Sequence, residues 1–405
     1  MVETRFLTAL DVLFPRGNKL FGEGQHGEAL MPPWPSAVAG AIRSRMLAEA
    51  GASVLDSFAK GSRPAGPLGD ALGTPAEPGT FRISWFSLAR RKGQTAEPIF
   101  PLPADLISDK CSAHLIYIEP QELPSHLQAS TSTPLVPVLR QAKVSKPEHG
   151  FWLWGPGLGH YLRGEPIKKP LREEEEERRW GAHTVFTRAL WRTDARLGIA
   201  LDAETRSAKQ GLLYTADAIA LTPDWAWPKA ECQVGLLACI AGANSLVPQG
   251  GLLRFGGDGR GARIEACNAT LPEPDWERIG REKKFRLILL TPGLFENGWR
   301  IPGLSDDGAW QGPHGISARL VSAAVPRAQV VSGWDLAKWE PKPALRAAPV
   351  GSVYWFDAAG ADESALVSAV RTLREEGFGC MSNYPDKTRL AEGFNNILVA
   401  NWAAT

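Results

Sequence analysis

The sequence predicts an α+β protein of two domains, residues 1–224 and 225–405, the first carrying an insertion at about 120–210. Strand-like apolar stretches recur in both halves, and helical patterns separate some of them. A chain of 405 residues with 44% hydrophobic content is also long enough to bury two substantial cores.

The opening segment MVETRFLTALDVLF alternates and carries Glu3, Arg5 and Asp11, so it reads as a first strand and lacks the unbroken apolar run of a signal peptide. The loop FPRGNKLFGEGQHGEALMPPWPS follows, and its glycines and prolines block regular structure for about twenty residues. Ser36 is placed to cap a helix, SAVAGAIRSRMLAEAG, with Val38, Ile42, Met46 and Leu47 on one face and Gly51 as its stop. Strands at 81–89 and 114–119 complete a β-α-β-β order, the first part of a ferredoxin-like, RNA-recognition-type fold. Residues 120–210 are polar and punctuated by proline. Their charge run, 172–179, reads as a solvated helix with i,i+4 pairs. The strand at 211–223 is expected to complete the first domain.

The second half offers strands at CQVGLLACIAG, ARIEACNA, FRLILLTP, RLVSAAVP and GSVYWFDA. A helix is expected at 362–377, with Ala365, Val367, Ala369, Val370 and Leu373 as its apolar face. A second ferredoxin-like unit accounts for this layout, so the expected fold is two fused ferredoxin-like domains with long insertions.

Bulk properties narrow the function. The 45 basic and 44 acidic side chains nearly cancel, so any nucleic-acid site has to be a local basic surface. Cys111, Cys232, Cys239, Cys267 and Cys380 contain no Cys-x-x-Cys pair, which argues against a structural zinc and a disulfide framework and for reduced thiols in a cytosolic interior. The richest apolar run, residues 234–243, is too short to span a bilayer, so a cytoplasmic protein without membrane contact is expected.

Two segments, GLLRFGGDGRGARIE (251–265) and REEGFGCMSNYPDKTR (374–389), set glycines beside arginines. Bare backbone N–H groups and guanidinium forks can then approach one anionic chain, a combination that suits a polynucleotide backbone. Neither segment ends in the lysine and hydroxyl of a triphosphate loop or has dinucleotide-fingerprint spacing, so an ATPase or a dehydrogenase is disfavoured.

Six stretches in order are similar to one family: DVLFPRGNKLFGEG, LMPPWPSAVAGAIRSR, RLGIALDAETRSAKQGLLYTAD, LLRFGGDGRGARIE, LLTPGLFENGW and GWDLAKWEPKPALRAAPVGSVYWF. The chain resembles the third subunit of type III-B CRISPR effector (Cmr) complexes, a repeat-associated mysterious protein (RAMP). That resemblance implies two fused ferredoxin-like domains and no catalysis, and no cofactor or metal is expected. It also implies a place at the foot of a ribonucleoprotein, holding the 5′ repeat-derived handle of the CRISPR RNA and abutting the large cyclase subunit and the first backbone RAMP subunits.

Single-stranded RNA is held by stacking on flat side chains and by cationic and N–H donors around phosphates. The N-terminal loop offers Arg16, Lys19, Phe21, Gln25 and His26, with Arg16 and Lys19 expected at phosphates. Arg43 is favoured over Arg45 by its place in the PSAVAGAIR motif of the resemblance. Arg188 and Arg192, four apart, align if the segment is helical, and Arg206 follows. The glycine loop adds Arg254, Gly256, Gly257, Arg260 and Arg263, and the last turn adds Gly377, Gly379, Lys387 and Arg389. Basic turns from both halves are expected to meet in one groove. A salt-bridging surface competes with the RNA interpretation at each arginine. Two other functions stay open: a metal-independent endoribonuclease that processes CRISPR RNA with His26 or His183 as base, and a scaffold that touches only neighbouring subunits.

Overall fold

The structure is a computed structural model and describes residues 2–17, 26–109, 112–129, 133–140, 146–168, 185–186, 190–202, 204–221, 232–335, 338, 340–381 and 386–403. Its principal elements begin with β1 (Val2–Ala9), α1 (Pro35–Ala50), α2 (Ala52–Ala59), α3 (Gly66–Leu72) and β2 (Arg82–Lys92). They continue with β3 (Ile116–Gln121), α4 (Gly155–Leu162), β4 (Trp191–Leu201), β5 (Ala208–Leu221), β6 (Cys232–Ala241), β7 (Gly250–Arg254) and β8 (Gly261–Ala266). The C-terminal part adds α5 (Trp276–Glu282), β9 (Lys284–Leu289), β10 (Ala309–Gln311), β11 (Ser317–Ala324), β12 (Val353–Asp357), α6 (Glu363–Glu376), α7 (Lys387–Ala391) and β13 (Ile397–Ala400). The architecture is mixed α and β with several antiparallel sheets.

The chain forms two compact units from interleaved stretches. One comprises Met1–Ala96, Ala189–Asn268 and Val330–Leu345, and the other Glu97–Arg188, Ala269–Gln329 and Arg346–Thr405. In the first unit the sheet order is β7–β8–β1–β6–β2, with antiparallel neighbours. The apolar face of β1 carries Leu7, and in register beside it stand Leu236 on β6 and Ile264 on β8, all buried. Helix α1 packs on β2 and β7 and buries Val38, Ala39, Ile42, Met46 and Leu47.

Several local expectations change. Ser36 does not cap α1: Trp34 holds the N-cap position with no side-chain bond, and Pro35, whose missing N–H costs nothing in the first turn, starts the helix. Gly51, at φ 125°, does end it. The segment at 114–119 does not supply the third strand of this sheet, because β3 pairs instead with Leu106–Ile107 and Val136–Leu139, and β6 takes the place beside β1. The strand expected at 211–223 lies within a separate hairpin of β4 and β5, in register from Trp191↔Leu221 to Ile199↔Leu213. Helical spacing at Arg192 is therefore replaced by strand spacing. The charge run at 172–179 lies outside the described residues.

In the second unit the sheet order is β10–β11–β12–β9–β13, again with antiparallel neighbours. Asp362 caps α6 by accepting the Ala365 N–H at 2.9 Å, and Gly377, at φ 64°, ends it. The helix buries Leu366, Ala369, Val370 and Leu373, so Leu366 replaces Ala365 in the expected face. Phe285 stacks on Phe356 at 5.3 Å, and Trp310 meets Phe356 at 4.6 Å.

A cation lies under this core. Arg286, in the middle of β9, is fully buried and ion-paired with Asp105, itself fully buried. Its remaining donors reach the carbonyls of Asn401 at 2.7 Å and Tyr161 at 2.9 Å, and its guanidinium lies 4.6 Å from the Tyr161 ring. The Tyr161 hydroxyl donates to Asp105 at 2.7 Å; burial, then the Asp105 charge, pushes it well above the usual phenol range, so it stays a donor. Of the cysteines, Cys239 is buried, its thiol pushed up to about 12 by burial, while Cys267 and Cys380 are only half-buried. Removing one partner of a buried pair leaves an uncompensated charge, so Asp105→Ala should lower unfolding stability by about 3–5 kcal/mol. Chemical denaturation measures this, and a loss under about 1 kcal/mol would show that the pair is dispensable.

Candidate nucleic-acid interface

β1 and β8 run antiparallel, with Ala9 opposite Ala262, so the loop leaving β1 and the loop entering β8 emerge at the same end of the sheet. Backbone bonds join the two loops. Leu10 N–H donates to Gly261 O at 3.1 Å and Gly257 N–H to Phe14 O at 2.9 Å, while Phe255 N–H closes the glycine loop on Arg260 O at 2.8 Å. Gly256 sits at φ 80°, and a Cβ there would stand 2.9 Å from the Phe14 carbonyl oxygen. Arg260 stacks over the Phe14 ring at 4.9 Å. It also faces Asp11 at 3.6 Å and Asp258 at 3.3 Å.

The remaining arginines of this edge are arranged by register. Arg254 is opposite Gly261 and Leu252 is opposite Arg263, so Arg254, Leu252 and Arg263 project from one face of the β7–β8 hairpin, and all three are exposed. Arg16 is exposed, and its Nε would lie 2.9 Å from a Cβ on Gly257. The β4–β5 hairpin joins through paired bonds between Leu13 and Ile219, and Arg196 reaches Asp11 at 4.0 Å. One edge of the first unit thus carries Arg16, Arg254, Arg260 and Arg263 around a glycine turn in which Gly256 and Gly257 pack against the 14–16 segment and Gly259 faces open space.

Lys19, Phe21, Gln25, Arg188 and His183 lie outside the described residues, as does the side chain of His26, whose backbone pairs with Thr215 on β5. Arg43 donates to Leu72 O at 3.4 Å and lies 5.8 Å from the Phe58 ring, which places its guanidinium among the helices. Arg45 pairs with Glu49 at 2.9 Å. Arg192 is exposed at the start of β4, and Arg206 is exposed at the hairpin turn with φ 53°. In the second unit Lys387 is exposed at the start of α7. Arg389 is buried there with Glu392 at 3.1 Å, and its charge is used inside the fold.

Sequence reasoning missed Phe14 as the platform for Arg260 and Asp11 and Asp258 as its counter-charges. Asp11 and Asp258 stand beside the two basic motifs in the chain, but only the β1–β8 register brings them to one arginine.

The comparisons with known proteins place the chain among CRISPR-associated proteins. Residues 5–402 match the family described as CRISPR-associated protein (Cas_Cmr3), and the chain belongs to that family, the third subunit of type III-B effectors whose motifs it resembles. It is also similar to a chain in a cryo-EM structure of the type III-B Cmr-beta complex bound to cognate target RNA and AMPPnP, at 17% identity over 87% of this chain and 86% of that one, with a TM-score of 0.42. A second such structure, of Cmr-beta bound to cognate target RNA, matches at 16% identity over the same shares, with a TM-score of 0.42. No curated protein matches the chain.

The glycine turn has a direct test. An alanine at 256 meets both a left-handed backbone and the Phe14 carbonyl, so Gly256→Ala should cost about 1–3 kcal/mol. Equilibrium denaturation reads this out, and wild-type stability in the variant would mean the loop junction relaxes freely.

Proposed function

We propose that this chain is the non-catalytic, RNA-binding anchor of a type III-B CRISPR ribonucleoprotein. It grips the 5′ repeat-derived handle of the CRISPR RNA and bridges the large subunit to the backbone subunits in antiviral RNA interference. Family membership supports the complex. The single observation that carries the RNA role is the joining of the 10–17 loop to the 255–261 loop, which brings Arg16, Arg254, Arg260 and Arg263 to one edge.

The two sheets fit the same proposal as ferredoxin-like units. Numbering β1, β2, β6 and β8 as strands one to four gives the spatial order 4-1-3-2, and β9, β11, β12 and β13 give it again. That is the strand order of a βαββαβ unit. In the first unit α1 fills the first crossover, and in the second α6 fills the last.

The energetics follow from charge and flatness. Arg254 and Arg263, exposed on one face of the β7–β8 hairpin, suit phosphates, while Arg260 lies over the Phe14 ring with Asp11 and Asp258 beside it. Phosphate contacts supply most of the attraction and confer little sequence preference. Discrimination of the handle then falls to base contacts, worth about 1–3 kcal/mol for each stacked base. The assembled particle adds avidity by holding the rest of the guide on its other subunits.

Arg254→Ala with Arg263→Ala tests the role. Each lost phosphate contact should lower the log–log salt slope of handle binding by about 0.7, so about 1.4 for both. Fluorescence titration of labelled handle RNA at several salt concentrations measures it. Unchanged affinity and slope would favour a scaffold that binds only protein.

A further inference from the structure

Independently of the RNA role, three metal-ligating side chains of different kinds meet in the second unit. His314, Glu376 and Cys380 bring Nε2 or Nδ1, a carboxylate oxygen and Sγ within 4.8 Å of one another. His314 Nε2 lies 3.1 Å from Glu376 Oε2. They come from three segments: the 3₁₀ turn Pro313–Gly315, the last residue of α6, and the turn Gly377–Cys380 that follows it.

The backbones beneath them are held by the core. Trp310, just before the first turn, packs edge-on to Phe378 of the second at 6.5 Å, and both are fully buried. Phe378 N–H donates to Asn395 O at 3.1 Å, and Gly312 N–H to Ile316 O at 2.8 Å. His314 adopts φ 58°, ψ 26°, a left-handed conformation that costs a non-glycine residue about 1 kcal/mol or more and that collects at ligand sites. The turn therefore presents an imidazole toward the helix end at an energetic cost.

We propose that His314, Glu376 and Cys380 bind a zinc-class divalent cation, with water completing a four-coordinate shell. Imidazole, carboxylate and thiolate are the three donor types zinc accepts, at about 2.0–2.3 Å each. Donors around one such ion stand roughly 3.5 Å apart, so a small inward movement of side chains from the present spacing closes the site. The Cys380 Sγ–H now donates to Gly377 O at 3.0 Å. Metal binding replaces that proton by the Sγ–metal bond and releases it to solvent, so affinity rises with pH. The bound ion cross-links the 313–315 turn to the end of α6. Cysteine spacing gave no hint of this site because only one ligand is a cysteine and the others arrive through the fold.

The purified full chain, stripped with chelator under reducing conditions, is titrated with Co(II) and then with Zn(II). A thiolate-to-Co(II) charge-transfer band should appear at about one equivalent, and Zn(II) should displace it. Cys380→Ser should abolish the band and Cys239→Ser should retain it. His314→Asn, whose side chain tolerates the same backbone, should weaken Co(II) binding more than about tenfold. Circular dichroism confirms that each variant is folded. No band in the wild-type chain, or a band that persists in Cys380→Ser, overturns the proposal.

Discussion

The antiparallel pairing of β1 with β8 is the constraint on which the candidate interface depends. It brings a loop near the N-terminus against one some 250 positions later, and the bond from Gly257 N–H to Phe14 O then sets the spacing between them. A side chain at 256 would push the strands' loops apart, which is why glycine stands there. With the junction closed, Arg260 lies over the Phe14 ring, and the β7–β8 register aims Arg254 and Arg263 outward.

The protein sorts its cations by burial. Arg5, Arg286 and Arg389 are buried and satisfied: Arg5 by the Pro248 and Val247 carbonyls and Glu3, Arg286 by Asp105 and two carbonyls, and Arg389 by Glu392. Such charges lock segments of chain together, because leaving any of them unpaired in a low-dielectric interior is costly. Arg254 and Arg263 remain on the surface, where a phosphate is a better partner than water-screened carboxylates. The near-zero net charge of the chain is thus compatible with a local cationic edge.

Helix α6 and the strands β1, β2, β6, β8, β9, β11 and β12 were legible in the sequence as apolar faces or as short apolar runs bounded by turns, and α1 as Val38, Ile42, Met46 and Leu47 on one face. The glycine–arginine loop 254–263 was legible too, as was family membership from the ordered motifs. What stayed hidden were long-range pairings. Arg389 looks like Arg254 in the sequence, and only the fold shows Glu392 beside one and open solvent beside the other. Arg192 reads as helical until Ala220 pairs with it across the hairpin. Asp105, in a proline-rich loop, gives no sign that it neutralises an arginine 181 positions away.

Photocrosslinking shows which peptides of the chain touch the 5′ end of the guide. A CRISPR RNA carrying a photoreactive base at its 5′ end is assembled with the subunits, irradiated and mapped by mass spectrometry. The expected result is adducts on peptides containing residues 10–17 and 254–263 of this chain. Adducts confined to other segments, or to other subunits, would contradict it.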